Sequence, residues 1–269
     1  MRLSALPQFP APHQPPKVPA RTGRLAPGQS LADRFTIVRF IAKGGMGEVY
    51  EAEDRFLQGV HVALKTILPH IAGDPELQQS FKREVLLARE VTHPNLCPIY
   101  DVFFCEEPAP GSLFLTMKFL PGTTLGARLR EPAPIPADEA LAILKQIAAG
   151  LSAIHAAGIV HRDIKSSNVM LDGRGSDIRI WITDFGLART NDVETTSSGH
   201  ESIAGTPAYM APELFTGKPP SQASDLYAFG VVMHEVFTGQ KPDQTADGSS
   251  VKVSADMFRS GRGRVDRRS

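Results

Sequence analysis

The stretch AKGGMGEV at 42–49 sets Gly44, Gly45 and Gly47 between two β-branched runs. Glycines in such a turn let backbone N–H groups come close to a phosphate. The stretch has no Gly-Lys-Ser/Thr, so it is not a P-loop. A strand pattern follows it, not the helix that a dinucleotide fingerprint needs. Taken alone, it reads equally well as a plain hairpin turn. Four more groups of chemically capable residues follow: Lys65 within VALK and, beyond it, Glu84; HRDIKSSN at 161–168; DFG at 184–186; and APE at 211–213. His234 and Glu235 open HEVFTG, which lacks the second histidine four residues on, so they form no zinc motif. Cys97 and Cys105 are the only cysteines, which excludes a disulfide scaffold and points to reduced thiols in the cytoplasm.

These groups need elements to hold them. FTIVRFI at 35–41, EVYEAE at 48–53 and VHVALKTI at 60–67 read as three strands, with Gln58-Gly59 as a turn. They are closely spaced, which implies an antiparallel sheet. Asp74-Pro75 is a helix start, and Leu77, Phe81, Val85 and Ala88 continue at helical spacing until His93-Pro94-Asn95. Strand candidates at 97–104 and 112–119 follow. After Pro136, residues 137–158 form a long apolar helix stopped by Gly158. The rest reads as loops and helices, including an apolar helix from Asp225. The expected fold is α+β with two lobes. A β-rich lobe covers 31–119 and a mainly helical lobe 120–243, between a Pro-rich disordered tail at 1–30 and a polar basic tail at 244–269.

Composition agrees. A chain of 269 residues suits one to two domains or lobes, and 42% hydrophobic with 22% charged residues fits a folded globular protein. There is no apolar run long enough to span a membrane. The start, MRLSALPQFPAPHQPP, is too rich in proline for a signal peptide. The 29 basic and 29 acidic residues cancel, but unevenly. Arg2, Lys17, Arg21 and Arg24 have no acid beside them in residues 1–30. Residues 250–269 hold six bases and two acids, so the body between is acidic. Solvated tails are a simpler account of this than nucleic-acid arms.

The motifs occur in the order and context of the protein-kinase signature set. The chain resembles bacterial Ser/Thr protein kinases of the eukaryotic-like family, from about residue 34 to 243. GGMGEVY and GTPAYMAPE are especially similar to that branch. The resemblance implies a Ser/Thr protein kinase that uses ATP with Mg²⁺ or Mn²⁺. Phosphoryl transfer is mainly positioning and neutralisation of charge. Lys65 would bind the α- and β-phosphates, oriented by Glu84. Asp163 would accept the proton of the substrate hydroxyl, and Lys165 would contact the γ-phosphate. Asn168 and Asp184 would hold the metal through hard oxygen ligands. Thr206 would bond Asp163 and Lys165. Nucleotide contacts would come from Ala42, Gly44, Gly45, Gly47, Val49 and Ala63. Met117 would guard the adenine pocket, with Lys118, Phe119 and Leu120 as hinge. His161 would be structural. Arg162 could pair with a phosphorylated loop, so autophosphorylation within 195–202 is an expectation, beside a plain polar loop.

The chain also departs from the family pattern. Ala42 replaces a glycine, which would restrict positive φ, stiffen the loop and weaken ATP binding. Ala88 is smaller than the usual residue, so the helix carrying Glu84 would be less firmly packed. Residues 244–269 do not resemble the further helices of the large lobe. The lobe would then be incomplete, Glu213 without its usual Arg and apolar surface exposed. A catalytically impaired, kinase-like binding module is therefore the alternative to an active enzyme. A small-molecule kinase fits GTPAYMAPE poorly.

Overall fold

The computed structural model describes residues 23–45, 47–105, 112–185 and 207–242. Thr206, the Ser/Thr run at 195–202 and the basic segment 244–269 lie outside them.

Six antiparallel strands form the first lobe: β1 (Ser30–Leu31), β2 (Phe35–Gly44), β3 (Gly47–Asp54), β4 (Val60–Thr66), β5 (Ile99–Cys105) and β6 (Ser112–Lys118). Their order across the sheet is β1-β2-β3-β4-β6-β5. β4 is buried on both faces. Val62 and Leu64 join Phe35, Ile37, Tyr50 and Phe114 on one side. Ala63 joins Leu115, Met117, Phe81 and Val85 on the other. This two-residue alternation is why Lys65 points to the same side as Ala63.

α1 (Pro69–Gly73) and α2 (Pro75–Glu90) follow β4. The Asp74 side chain accepts from the N–H groups of Glu76 and Leu77, and Pro75 occupies the first turn, as the Asp-Pro pair implies. Ala88 is only 1% exposed and packs into the core of the second lobe, so its small size does not loosen α2. The connection from α2 to β5 is tied to that lobe. Ile182 N–H donates to Asn95 O at 2.8 Å, and Cys97 N–H to Ile182 O at 2.9 Å.

The second lobe is built on α3 (Leu125–Arg128), α4 (Ala137–Ala156), α5 (Pro212–Phe215) and α6 (Gln222–Thr238). α4 buries Ile143, Ile147, Leu151 and Ile154 along one stripe, and Gly158 beyond it adopts φ 74°. A three-stranded sheet, β7 (Thr123–Thr124), β8 (Val169–Asp172) and β9 (Arg179–Ile182), lies against α4. The sequence reading had loops there. Strands of two to four residues are too short to show a period.

Residues 23–30, expected within a disordered tail over 1–30, are packed on the sheet. Leu25 is 5% exposed and joins the cluster of Phe35 and Tyr50. Gly28 N–H donates to Ile37 O at 2.8 Å, and Ile37 N–H to Gln29 O at 2.9 Å. Of the seven prolines in 1–30 only Pro27 lies in this packed stretch, so proline content does not report on its packing.

Candidate active site

Asp225, at the start of α6, organises the loop 161–168. Its carboxylate is 1% exposed and accepts the backbone N–H of His161 at 2.7 Å and of Arg162 at 2.8 Å. His155 Nε2 lies 2.8 Å from the same carboxylate. Arg162 is thereby held at φ 68°, a conformation that side chains other than glycine rarely adopt. The His161 ring braces the next turn. Its Nδ1 accepts the Asp163 N–H at 3.2 Å, so its protonated Nε2 must be the donor to Thr183 O at 3.1 Å. Burial keeps this ring neutral by lowering its pKa, which fits the structural role expected of it.

The braced loop presents Asp163. Lys165 Nζ sits 2.9 Å from Asp163 Oδ1 and 2.7 Å from Oδ2. Asn168 Nδ2 donates to Asp163 Oδ2 at 2.9 Å and to its carbonyl at 2.8 Å. The carboxylate is therefore fixed in orientation and partly balanced in charge. Three of the residues predicted from the sequence converge on one group.

Facing this loop, Lys65 is 3% exposed and its Nζ lies 2.8 Å from Asp184 Oδ1. Burial would push the Asp184 carboxyl up. The ammonium of Lys65, through its charge and its hydrogen bond, and then the charge of Lys165 hold it below the usual range and therefore ionised. Asp184 is at φ 63°. On α2, Glu84 Oε1 accepts from Arg162 NH1 at 3.2 Å, a contact that the sequence reading did not contain.

An apolar cluster joins the two lobes. Ala63 pairs with Met117 in register across β4 and β6. Val49, Ala63, Met117, Phe119 and Leu120 share one cluster with Met170 and Trp181 of the second lobe. Met170 was not singled out from the sequence. Its only signal is its place two residues beyond Asn168. At the end of β6, Lys118 N–H is spent on Pro98 O at 2.9 Å, and Lys118 Nζ stands 5.5 Å from the centre of the Trp181 ring.

At the glycine turn, Gly44 pairs with Gly47. Gly47 has φ 147°, and a Cβ there would collide with the carbonyl of Thr66, so only glycine fits. Ala42 is paired with Val49 inside β2 and is not among the residues with positive φ. The conformational cost expected of Ala42 therefore does not arise.

The described helices include none long and apolar enough to cross a membrane. The protein kinase domain family matches residues 35–262, which runs past the limit of 243 expected from the sequence. The chain is 39% identical over 202 residues to the serine/threonine-protein kinase PknD of Mycobacterium tuberculosis, covering 75% of this chain and 29% of that protein. It is 35% identical over 207 residues to PknH of Mycobacterium bovis, covering 77% and 33%. It is 35% identical over 210 residues to PknA of Mycobacterium tuberculosis, covering 77% and 47%. The chain thus spans less than half the length of each of these relatives.

Proposed function

The chain belongs to the protein kinase domain family, and from that premise we propose that it transfers the γ-phosphate of ATP to Ser and Thr hydroxyls of proteins. One observation supports this above the others. A carboxylate fixed by a lysine and an amide, Asp163 with Lys165 and Asn168, belongs to the same site as a buried lysine paired with an ionised aspartate, Lys65 with Asp184.

In this reading the adenine occupies the slot of Val49, Ala63, Met117, Leu120 and Met170. Gly44, Gly45 and Gly47 cover the phosphates, with Ala42 at the edge of the turn. Lys65 binds the α- and β-phosphates, and Glu84 on α2 helps to orient it. Asp163 accepts the proton of the acceptor hydroxyl. Lys165 already balances the Asp163 carboxylate and stands ready for the γ-phosphate. Thr206 would tie the segment before APE to Asp163 and Lys165.

Asn168 and Asp184 suit a hard divalent cation, magnesium or manganese. The amide nitrogen of Asn168 is spent on Asp163, which leaves its oxygen as a ligand, and Asp184 is kept ionised. When bound, the ion would neutralise charge on the phosphates. Autophosphorylation within 195–202 and a cytoplasmic setting, in keeping with two buried free cysteines, belong to the same proposal.

Thermal denaturation with ATP, with and without magnesium, tests the site. The chain should gain stability from ATP and more from Mg-ATP, and Asp184→Asn should abolish the extra gain from magnesium. Equal gains in the two proteins would contradict the metal assignment.

A further inference from the structure

The strand that leaves the glycine turn alternates between two duties. Val49 packs against the apolar cluster of Ala63 and Met117. Its neighbours Glu48 and Tyr50 face the opposite side of the sheet, and both are buried, at 7% and 0% exposure. On that outer side they meet residues 23–25. Arg24 N–H donates to Glu48 Oε2 at 2.9 Å. Leu25 N–H donates to Tyr50 Oη at 3.1 Å, and the Tyr50 hydroxyl donates in turn to Glu48 Oε2. Burial would raise the Glu48 carboxyl, but the bonds from Tyr50 and Arg24 hold it below its usual range, so it stays an ionised acceptor.

Gly23 lies so close to this surface that a Cβ would collide with the Tyr50 hydroxyl and stand 2.6 Å from the Phe40 ring. Phe40 and Tyr50 pack edge to face at 5.6 Å across β2 and β3. Leu25 inserts into the core beneath them. Glu48 itself directly follows Gly47, and its N–H donates to Thr66 Oγ1 at 3.1 Å. The carboxylate that receives the segment therefore belongs to the first residue after the turn.

We infer that residues 23–29 are a strap that sets the glycine turn from the outer face of the sheet, with Glu48 and Tyr50 as positioning residues for nucleotide binding. The inference rests on the nucleotide reading above. The strap touches neither the slot nor Asp163, so it acts on the hold on ATP and not on the chemical step. If only a fraction of molecules keep the turn in its binding geometry, apparent affinity falls by that fraction. Whatever draws residues 23–29 away from Tyr50 would thus lower the affinity for ATP from a distance.

Two variants test it, Gly23→Val at the close approach and Leu25→Ser at the buried anchor. In each, KM for ATP should rise about fivefold with kcat unchanged. Hydrogen exchange without nucleotide should quicken at the amides of 42–49, while those of β4 and β6 stay protected. Should Leu25→Ser fail to fold, Gly23→Val carries the test. Unchanged KM and unchanged exchange at 42–49 would overturn the inference, as would exchange raised uniformly over the whole sheet. The exchange measurement needs no ATP. A parent protein that does not bind ATP would refute the nucleotide reading and leave the strap to be judged on exchange alone.

Discussion

Asp225 bonds the backbone N–H of Arg162 at 2.8 Å, on another element and sixty-three residues away in sequence. It is this contact that holds Arg162 in the left-handed region, where a residue other than glycine costs about 1–3 kcal/mol. The shape of the loop presenting Asp163 is therefore imposed by α6.

Asp225→Asn should destabilise the protein by about 3–5 kcal/mol, because a buried charge that accepts several hydrogen bonds is lost. A thermal melt reads this directly. Transfer activity should fall with it, since Asp163 loses its fixed place. An Asn variant that melts with the parent would show that the loop supports itself.

Asp163→Asn should behave differently. The amide keeps the shape and the contact with Asn168 but cannot accept a proton. Transfer should drop by about 10²–10⁴-fold, the usual worth of a general base. Affinity for ATP, measured by titration calorimetry, should stay near that of the parent.

Gly47→Ala should weaken ATP binding and stability together. The added methyl would meet the Thr66 carbonyl, and φ 147° suits only glycine. A cost of about 1–3 kcal/mol is expected from a backbone forced into such a region. Ala42→Gly, in contrast, should change little, because Ala42 is paired with Val49 in β2 and does not have a positive φ. Titration of both variants with ATP compares them.

Stability should depend on pH through His161. Its native pKa is lowered by burial, so the unfolded chain binds a proton that the native state refuses. The contribution is complete above about pH 6.5, the unfolded value for histidine, and is lost as pH falls towards the native pKa. Asp184, Asp54 and Glu48 also have lowered values, but as carboxylates their contributions are lost only in more acidic solution. Melting temperature should therefore begin to fall below about pH 6.5, and His161→Gln should flatten that part of the curve. An equal slope in the variant would remove His161 from the account.

Much of the site could be read from local strings. The glycine turn, Lys65 in its strand, and Asp163, Lys165 and Asn168 in one octapeptide are short-range patterns, and the fold places them together. The Asp74-Pro75 helix start and the Gly158 stop were legible for the same reason, since each is a local rule of capping. The long-range partners were not legible. Nothing near Glu84 announces Arg162, and nothing near His155 announces Asp225, because those contacts depend on how α2, α4 and α6 pack. Met170 and Trp181 look like ordinary strand residues until β8 and β9 are set under the slot. The strap, residues 23–29, has one proline of its own but directly follows a proline-rich stretch, and no local pattern separates the two. Only the buried Leu25 and the close Gly23 reveal it.

Phosphoryl transfer at Asp163 can be read directly. The measurement is incorporation of labelled γ-phosphate from Mg-ATP into the chain itself and into a generic basic protein, with Asp163→Asn assayed beside the parent. Label is expected on Ser and Thr in the parent reactions and almost none with the variant. Binding of ATP by both proteins with no transfer by either would contradict this expectation and favour a nucleotide-binding module.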